Sequence, residues 1–273
     1  MAILYITDLD GTLLDEEARV SAETRAILND LMGHGLPFTV ATARTHLSAL
    51  PILRGLNLTL PLVLLNGCML YCPQKEEVME YTPFSQGATH ALVAAEVLAE
   101  LTGLLLTIRN GTLELHCGDN QEKAFHKLQD GLCPVTTKTA KNLGQEELLF
   151  AMYTDSHPEK LQRIYDRLRP RADLTLDFYR DRYEEGRWYL ELFSATASKK
   201  TGVLRLKELC GAKRLVRFGD ALNDLPMFEA CDESYAVENA HDEVKRKALA
   251  SIGKNTKSGV AHFIRAHFLK CNI

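Results

Sequence analysis

The run Ala2 to Ile6 is apolar and short, and it stops at a pair of acids in Ile6-Thr7-Asp8-Leu9-Asp10-Gly11-Thr12-Leu13. No other stretch restricts the fold as much. An apolar run of this length reads as a buried strand. On a strand, Asp8 and Asp10 at spacing i, i+2 fall on one face. Gly11 then lets the backbone turn. In open α/β sheets, ligands bind in the crevice beyond the carboxyl ends of the strands. Two like charges crowded there repel each other. A hard divalent cation held by oxygen ligands, Mg2+ above all, removes the conflict.

The next stretch alternates helix and strand. Ser21 caps a helix over 21–31 with Ala26, Ile27 and Leu31 on its apolar face, and Gly33 and Gly35 stop it. Pro37 to Thr42 is an unbroken apolar run, suited to a parallel strand buried on both faces. A helix is expected over 45–53 and a third buried strand over 61–65. Asn66-Gly67 favours positive φ and turns that strand back into Cys68 to Tyr71.

The pattern changes near Pro83. A long helix over 85–101 closes at Gly103, and Asn110-Gly111 joins two strands, 104–109 and 112–117, into a hairpin. A capped helix is expected over 119–128. Strands over 148–154, 174–180 and 188–193 and a helix over 158–168 complete an α+β module. After about Leu192 the βα alternation returns: helix 199–209, strand 215–219 ending in Asp220, helix 224–230, strand 235–237, helix 244–250 and a last helix 259–268. The expected fold class is therefore α/β, a Rossmann-like parallel-sheet core over 1–82 and 191–273 with an α+β module inserted over 83–190.

Polar residues sit at the strand ends and helix starts of that core. Thr42, followed by Ala43-Arg44, ends the second strand. Ser198-Lys199 opens a helix. Gly219-Asp220-Ala221-Leu222-Asn223-Asp224 ends a late strand. Together with Asp8 and Asp10 these supply acids for a cation, and a hydroxyl, an amide and a lysine for an anion. That combination suits phosphoryl transfer, where positioning and charge neutralisation supply most of the catalysis. Arg44 reads equally as a contact to the substrate or as half of a surface ion pair.

Composition excludes several other classes. The 273-residue chain is 46% apolar and 25% charged, with a net charge of −4, which argues against nucleic acid or an anionic membrane as main partner. No apolar stretch reaches membrane-spanning length, and Met1-Ala2-Ile3 runs into the first strand with no secretory leader expected. The seven cysteines are odd in number and scattered, as expected for reduced thiols in a cytoplasm. Cys68 and Cys72 lack a second pair at zinc-site spacing. His116, His157 and His241 read as surface or structural residues. Tyr179, Tyr183, Trp188 and Tyr189 read as core or rim of the module.

These motifs, in this order, resemble the haloacid dehalogenase superfamily. The arrangement resembles its Cof-type phosphatases, which carry a large α/β cap in the inserted position. Asp8-Leu9-Asp10-Gly11-Thr12-Leu13 resembles the first motif and Ala41-Thr42-Ala43-Arg44 the second. Asn66-Gly67 resembles a family turn. Leu190-Glu191-Leu192 with Ser198-Lys199 resembles the third motif, and Gly219-Asp220-x-x-Asn223-Asp224 the fourth. Asn239-Ala240 and Gly259-Val260-Ala261 match weaker tail patterns.

The cysteine pattern above gives a cytoplasmic location as an expectation, and the resemblance implies a Mg2+-dependent phosphatase of a small phosphorylated metabolite, a sugar phosphate first. It implies Asp8 as a nucleophile that forms an aspartyl-phosphate and Asp10 as general acid and then base. Asp8, Asp10 (through its carbonyl) and Asp220 would hold the metal with support from Asp224. Thr42, Lys199 and Asn223, and Arg44 beside them, would bind the phosphoryl group. The cap would choose the substrate, with Tyr183, Arg187 and Trp188 as candidates. A phosphomutase-like phosphotransferase and a catalytically quiet binding protein are the alternatives.

Three departures stand out. Ala43 replaces the usual glycine. Residues 194–198 lack the usual proline and glycine, and Lys199-Lys200 leaves the register open by one, Lys199 being favoured because it follows Ser198. Ser258 stands where aspartate is frequent.

Overall fold

The computed structural model describes residues 3–118, 135–181, 186–228 and 230–271. The chain divides into two compact units, Met1–Met79 with Ser198–Ile273, and Glu80–Ala197.

The first unit begins with β1 (Ile3–Thr7), α1 (Ala22–Gly33), β2 (Phe38–Val40), α2 (His46–Leu53), β3 (Leu62–Leu64), β4 (Met69–Cys72) and β5 (Glu77–Tyr81), the last running across the seam. The second unit contains α3 (Gln86–Ala99), β6 (Leu104–Arg109), β7 (Thr112–Cys117), β8 (Val135–Thr136), β9 (Glu147–Asp155), α4 (Pro158–Leu168), β10 (Leu174–Arg180) and β11 (Trp188–Ser194). The chain returns to the first unit with α5 (Lys199–Cys210), β12 (Arg214–Gly219), α6 (Leu225–Phe228), β13 (Glu233–Val237), α7 (Asp242–Lys247), β14 (Ala250–Ile252) and α8 (Gly259–Cys271).

In the first unit the sheet order is β14-β13-β12-β1-β2, with every pairing parallel. A parallel bridge from Ala41 to Val63 continues the array toward β3. β1 lies inside the sheet, paired on both sides, which is why Leu4, Tyr5 and Ile6 are fully buried. Leu4, Ile6, Val63, Val203, Leu206 and Leu215 pack into one apolar cluster beneath α5. Each such side chain contributes about 1.5–3 kcal/mol on leaving water. In the second unit the order is β10-β11-β9-β6-β7-β8, antiparallel except for β7 with β8. Leu92 and Ala95 of α3 and Leu161, Ile164 and Leu168 of α4 close over its strands.

Ser21 caps α1 by accepting the Thr24 N–H, and Asn66 and Gly67 both take positive φ, 52° and 93°. Elsewhere the structure departs from the expectation. β11 pairs with β9 and β10, so Leu190-Glu191-Leu192 lies in the second unit and the seam falls at Ser198. The helix expected over 224–230 is a 3₁₀ turn, Leu222–Asp224, running into the short α6. Asp224 turns its carboxylate back onto the N–H groups of Asp220 and Ala221, a local bond that competes with helix. The helix expected over 244–250 is α7, Asp242–Lys247, which ends sooner, and the last strand, β14, begins at Ala250; neither β14 nor β5 is among the expected elements. Edge strands are short, and Glu77–Tyr81 is largely exposed, so neither announces itself by apolar periodicity. The helix expected over 119–128 lies outside the described residues.

Candidate active site

The site grows from two adjacent parallel strands. β1 and β12 run in register from Ile3 opposite Arg214 to Thr7 opposite Phe218, so both reach their carboxyl ends together. The Asp8 N–H donates to the Phe218 carbonyl at 3.1 Å, which extends the ladder by one rung. Asp8 and Asp220 therefore leave the sheet side by side. Asp8, Asp220 and Asp224 each offer an oxygen, all lying within 4.8 Å of one another.

Gly11 is required where it stands. Its φ is +78°, and a Cβ there would lie 2.3 Å from Asp220 Oδ2. The Thr12 hydroxyl donates to Asp220 Oδ1 at 2.7 Å, and Asn239 Nδ2 donates to the Gly11 carbonyl at 2.7 Å. The loop after β1 is thus tied to the loops after β12 and β13.

Lys199 enters from the first turn of α5. A reciprocal capping box between Ser198 and Thr201 fixes that turn. Lys199 Nζ, nearly buried, donates to Asp8 Oδ1 at 2.6 Å and to Asp224 Oδ1 at 3.0 Å. Of the two neighbouring lysines, Lys199 is the one that reaches Asp8. Gly67 sits flush against this helix start: a Cβ on it would be 2.0 Å from the Ser198 carbonyl oxygen.

Arg217 escaped the sequence reading. It is fully buried inside β12, with Nη2 2.7 Å from Asp224 Oδ1 and Nη1 donating to the Asp224 carbonyl at 2.5 Å. Its guanidinium also stacks 4.6 Å from the centre of the Phe228 ring. The Nη2 contact is an ion pair by distance, whereas the aligned hydrogen bond is the one from Nη1. The signal was available: a cation inside Leu215-Val216-Arg217-Phe218 needs a buried acid close by.

Charge is divided unevenly across this cluster. Burial is the largest influence on Asp8 and pushes its pKa up to about 7, against the pull of Lys199 and with help from Asp224 and Asp220. Burial also opposes ionisation of Asp224, but Lys199 and Arg217 outweigh it and hold that carboxyl down at about 2. Burial would lower Lys199, yet Asp224 and Asp8 keep it above the ordinary lysine range. The strongly ionised pair is Lys199 with Asp224, and Asp8 is the acid held least firmly as an anion. Both Asp224 oxygens are engaged, Oδ1 by Lys199 and Arg217, Oδ2 by the N–H groups of Asp220 and Ala221.

The other expected residues are placed as follows. Thr42 is buried, and its hydroxyl accepts the Arg44 N–H at 3.2 Å. Asn223 lies exposed on the 3₁₀ turn. Asp10 turns its carboxylate to Arg44, which grips it through Nε and Nη2 at 2.7 and 2.6 Å. Ser258 donates to Glu23 Oε2 at 3.0 Å, well apart from these acids in its role. In the second unit, Trp188 packs on Phe178 against the apolar cluster, and Tyr179 stacks on Tyr189. Tyr183 lies outside the described residues. His116 is buried between the Thr107 and Thr136 hydroxyls, a structural place.

Three converging carboxylates and a buried lysine at the carboxyl edge of a parallel sheet define an α/β protein whose site suits phosphate chemistry. Donors of this kind, all oxygen, fit a hard divalent cation. The chain belongs to the haloacid dehalogenase-like hydrolases, whose family model matches residues 5–264. It is an enzyme of the phosphoric monoester hydrolase class. Among its relatives is the 5-amino-6-(5-phospho-D-ribitylamino)uracil phosphatase YitU of Bacillus subtilis, 24% identical over 275 residues, covering 97% of each chain. The pyridoxal phosphate phosphatase YbhA of Escherichia coli is 26% identical over 276 residues, covering 96% of this chain and 97% of its own. Among solved structures, TM0651 of Thermotoga maritima matches with a TM-score of 0.76 at 22% identity, over 97% of both chains. The subclass IIB sugar phosphatase BT4131 matches at 0.71 with 18% identity, over 98% of this chain and 99% of its own.

Proposed function

We propose that the protein is a Mg2+-dependent phosphatase of a small phosphorylated metabolite, working through an aspartyl-phosphate on Asp8. The observation that carries this reading is the buried contact of Lys199 with Asp8, 2.6 Å long, beside the Asp8–Asp220–Asp224 group. Asp8 and Asp220 would hold the cation directly, with the Asp10 carbonyl. Asp224, whose oxygens are already engaged, would support them by fixing Lys199 and the loop after β12. When bound, the cation offsets the repulsion between the carboxylates and a phosphate dianion.

The remaining chemistry belongs to the chain. Asp8 attacks phosphorus, the P–O bond to the leaving alcohol breaks, and Asp10 gives that oxygen its proton. Water then attacks the same phosphorus, Asp10 takes the water's proton, and Asp8 is released. Splitting one hydrolysis into two transfers lowers each barrier. Lys199 neutralises one phosphoryl oxygen, and Thr42 and Asn223 supply a hydroxyl and an amide to the others.

We propose the second unit, the expected cap, as the part that selects the remainder of the substrate. The relatives named above act on a ribitylamino-uracil phosphate and on pyridoxal phosphate, and one structural neighbour on sugar phosphates. All are compact phosphomonoesters, and a sugar or polyol phosphate is the first candidate here. Incubation with radiolabelled substrate, acid quench and peptide mapping tests the proposal. Label on Asp8 supports it, and label on another side chain, or hydrolysis unchanged in Asp8→Asn, overturns it.

A further inference from the structure

The Arg44–Asp10 contact is a two-point fork, a geometry that Arg171–Asp173 shares, but here it ends on an acid two residues from Asp8. Nε donates to Asp10 Oδ2 at 2.7 Å and Nη2 to Oδ1 at 2.6 Å, a parallel fork that fixes both the position and the plane of the carboxylate. Both partners stand on anchored backbone. The Arg44 N–H donates to the Thr42 hydroxyl, and its carbonyl accepts the Leu65 N–H at 3.0 Å. Asp10 lies between buried Leu9 and Gly11, whose φ of +78° and Asn239-bound carbonyl leave the loop little freedom. The carboxylate held by the fork is not one of the converging acids: the group that could hold a cation comprises Asp8, Asp220 and Asp224. The Nε–Nη2 edge of the guanidinium is spent on Asp10.

A carboxylate two residues from a cation site is drawn toward it as another ligand. A group that must serve the leaving oxygen has to be kept out of that position. We propose that Arg44 is the positioning residue for Asp10, its fork holding the Asp10 carboxylate clear of the cation group and turned to the leaving group, and that it is not a phosphate anchor. The inference rests on the acid–base role given to Asp10 above. Asp10 reaches the leaving oxygen by opening one of the two hydrogen bonds while the other keeps it oriented.

The test is a leaving-group series read as kcat/KM, which reports transfer to Asp8. The probes are glycerol phosphate, 4-nitrophenyl phosphate and 2,4-dinitrophenyl phosphate, assayed with wild type, Arg44→Ala, Arg44→Lys, Asp10→Asn and the Arg44→Ala/Asp10→Asn double variant. An alkoxide departs badly without a proton, whereas a dinitrophenolate departs unaided. Asp10→Asn is expected to lose about 10²-fold or more on glycerol phosphate and far less on the dinitrophenyl ester. Arg44→Ala is expected to lose about tenfold more on glycerol phosphate than on the dinitrophenyl ester, since misplacing a catalytic group alone carries costs of this order. Arg44→Lys restores the charge without the fork and is expected to resemble Arg44→Ala. In the Asp10→Asn background, adding Arg44→Ala is expected to change nothing further beyond about twofold.

Equal losses across the series, or full additivity in the double variant, overturn the assignment and return Arg44 to phosphate binding or to the fold. A gain on glycerol phosphate also overturns it and makes the fork a brake. A flat series in Asp10→Asn removes the acid role of Asp10 itself. A steep series in Asp10→Asn with a flat one in Arg44→Ala removes Arg44 alone.

Discussion

Gly67→Ala isolates how closely the turn after β3 supports the site. Two costs arise at this position. The backbone has φ +93°, where an added Cβ is penalised by about 1–2 kcal/mol. The new Cβ would also stand 2.0 Å from the Ser198 carbonyl oxygen, 2.4 Å from its carbon and 3.0 Å from the Lys199 nitrogen. These are backbone atoms, so no side chain can swing aside. The start of α5 has to retreat by about 1 Å or more, a degree of overpacking that costs about 1–3 kcal/mol. Because Lys199 Nζ sits 2.6 Å from Asp8 Oδ1, the same retreat carries that contact to the limit of hydrogen bonding. We expect a stability loss of about 2–5 kcal/mol by denaturant unfolding and a fall of about 10²-fold in kcat/KM on 4-nitrophenyl phosphate. Gly211→Ala is the matched control. Gly211 also has positive φ, +60°, at the other end of α5, but nothing lies within 4 Å of its Cβ position. It should lose only the backbone cost of about 1–2 kcal/mol and keep full activity. If Gly67→Ala behaved like Gly211→Ala, the turn would not be what sets Lys199, and the reasoning would fail.

Other expectations follow from the charges. Asp8→Asn should abolish turnover, and in the cation-free protein it should raise Tm more at pH 8 than at pH 5. Folding lifts the Asp8 pKa from its ordinary value to about 7, so the folded state binds the extra proton and loses stability as pH rises through that window. A pH-independent Tm difference would refute this. Arg217→Met should cost about 3–5 kcal/mol in urea unfolding, because it strips one cation from a buried acid, and a loss under about 1 kcal/mol would count against the pairing. Chelation should remove hydrolysis of 4-nitrophenyl phosphate and Mg2+ should restore it; full activity in excess chelator would rule out the proposed metal dependence.

Much of the site could be read from the chain because parallel sheets mark their own carboxyl ends. An apolar run that stops at Asp8, at Thr42 or at Asp220 stops where the strand leaves the core. The converse holds for what escaped. Arg217 hides in such a run, and its meaning depends on Asp224 lying behind it. The Arg44 fork joins residues 34 positions apart through side-chain direction, which spacing does not encode. The seam between the units was displaced because Trp188–Ser194 has the composition of a core strand in either sheet, and only its pairing with β9 and β10 decides.

The placement of β1 has a consequence for how the enzyme comes into being. Its inner edge pairs with β12, so Ile3 meets Arg214 and Thr7 meets Phe218. On the ribosome, β1 is made first and its partner more than two hundred residues later. At about 5–20 residues per second, that interval lasts about 10–40 s. Throughout it, Leu4, Tyr5 and Ile6 lack the neighbour that buries them. The stretch Glu80–Ala197 is contiguous and carries its own apolar cluster, so it can complete its contacts while the first unit waits. Nascent chains paused once residue 197 has emerged from the ribosome should therefore hold a structured second unit and an unsatisfied strand, and that strand is the segment a chaperone would meet.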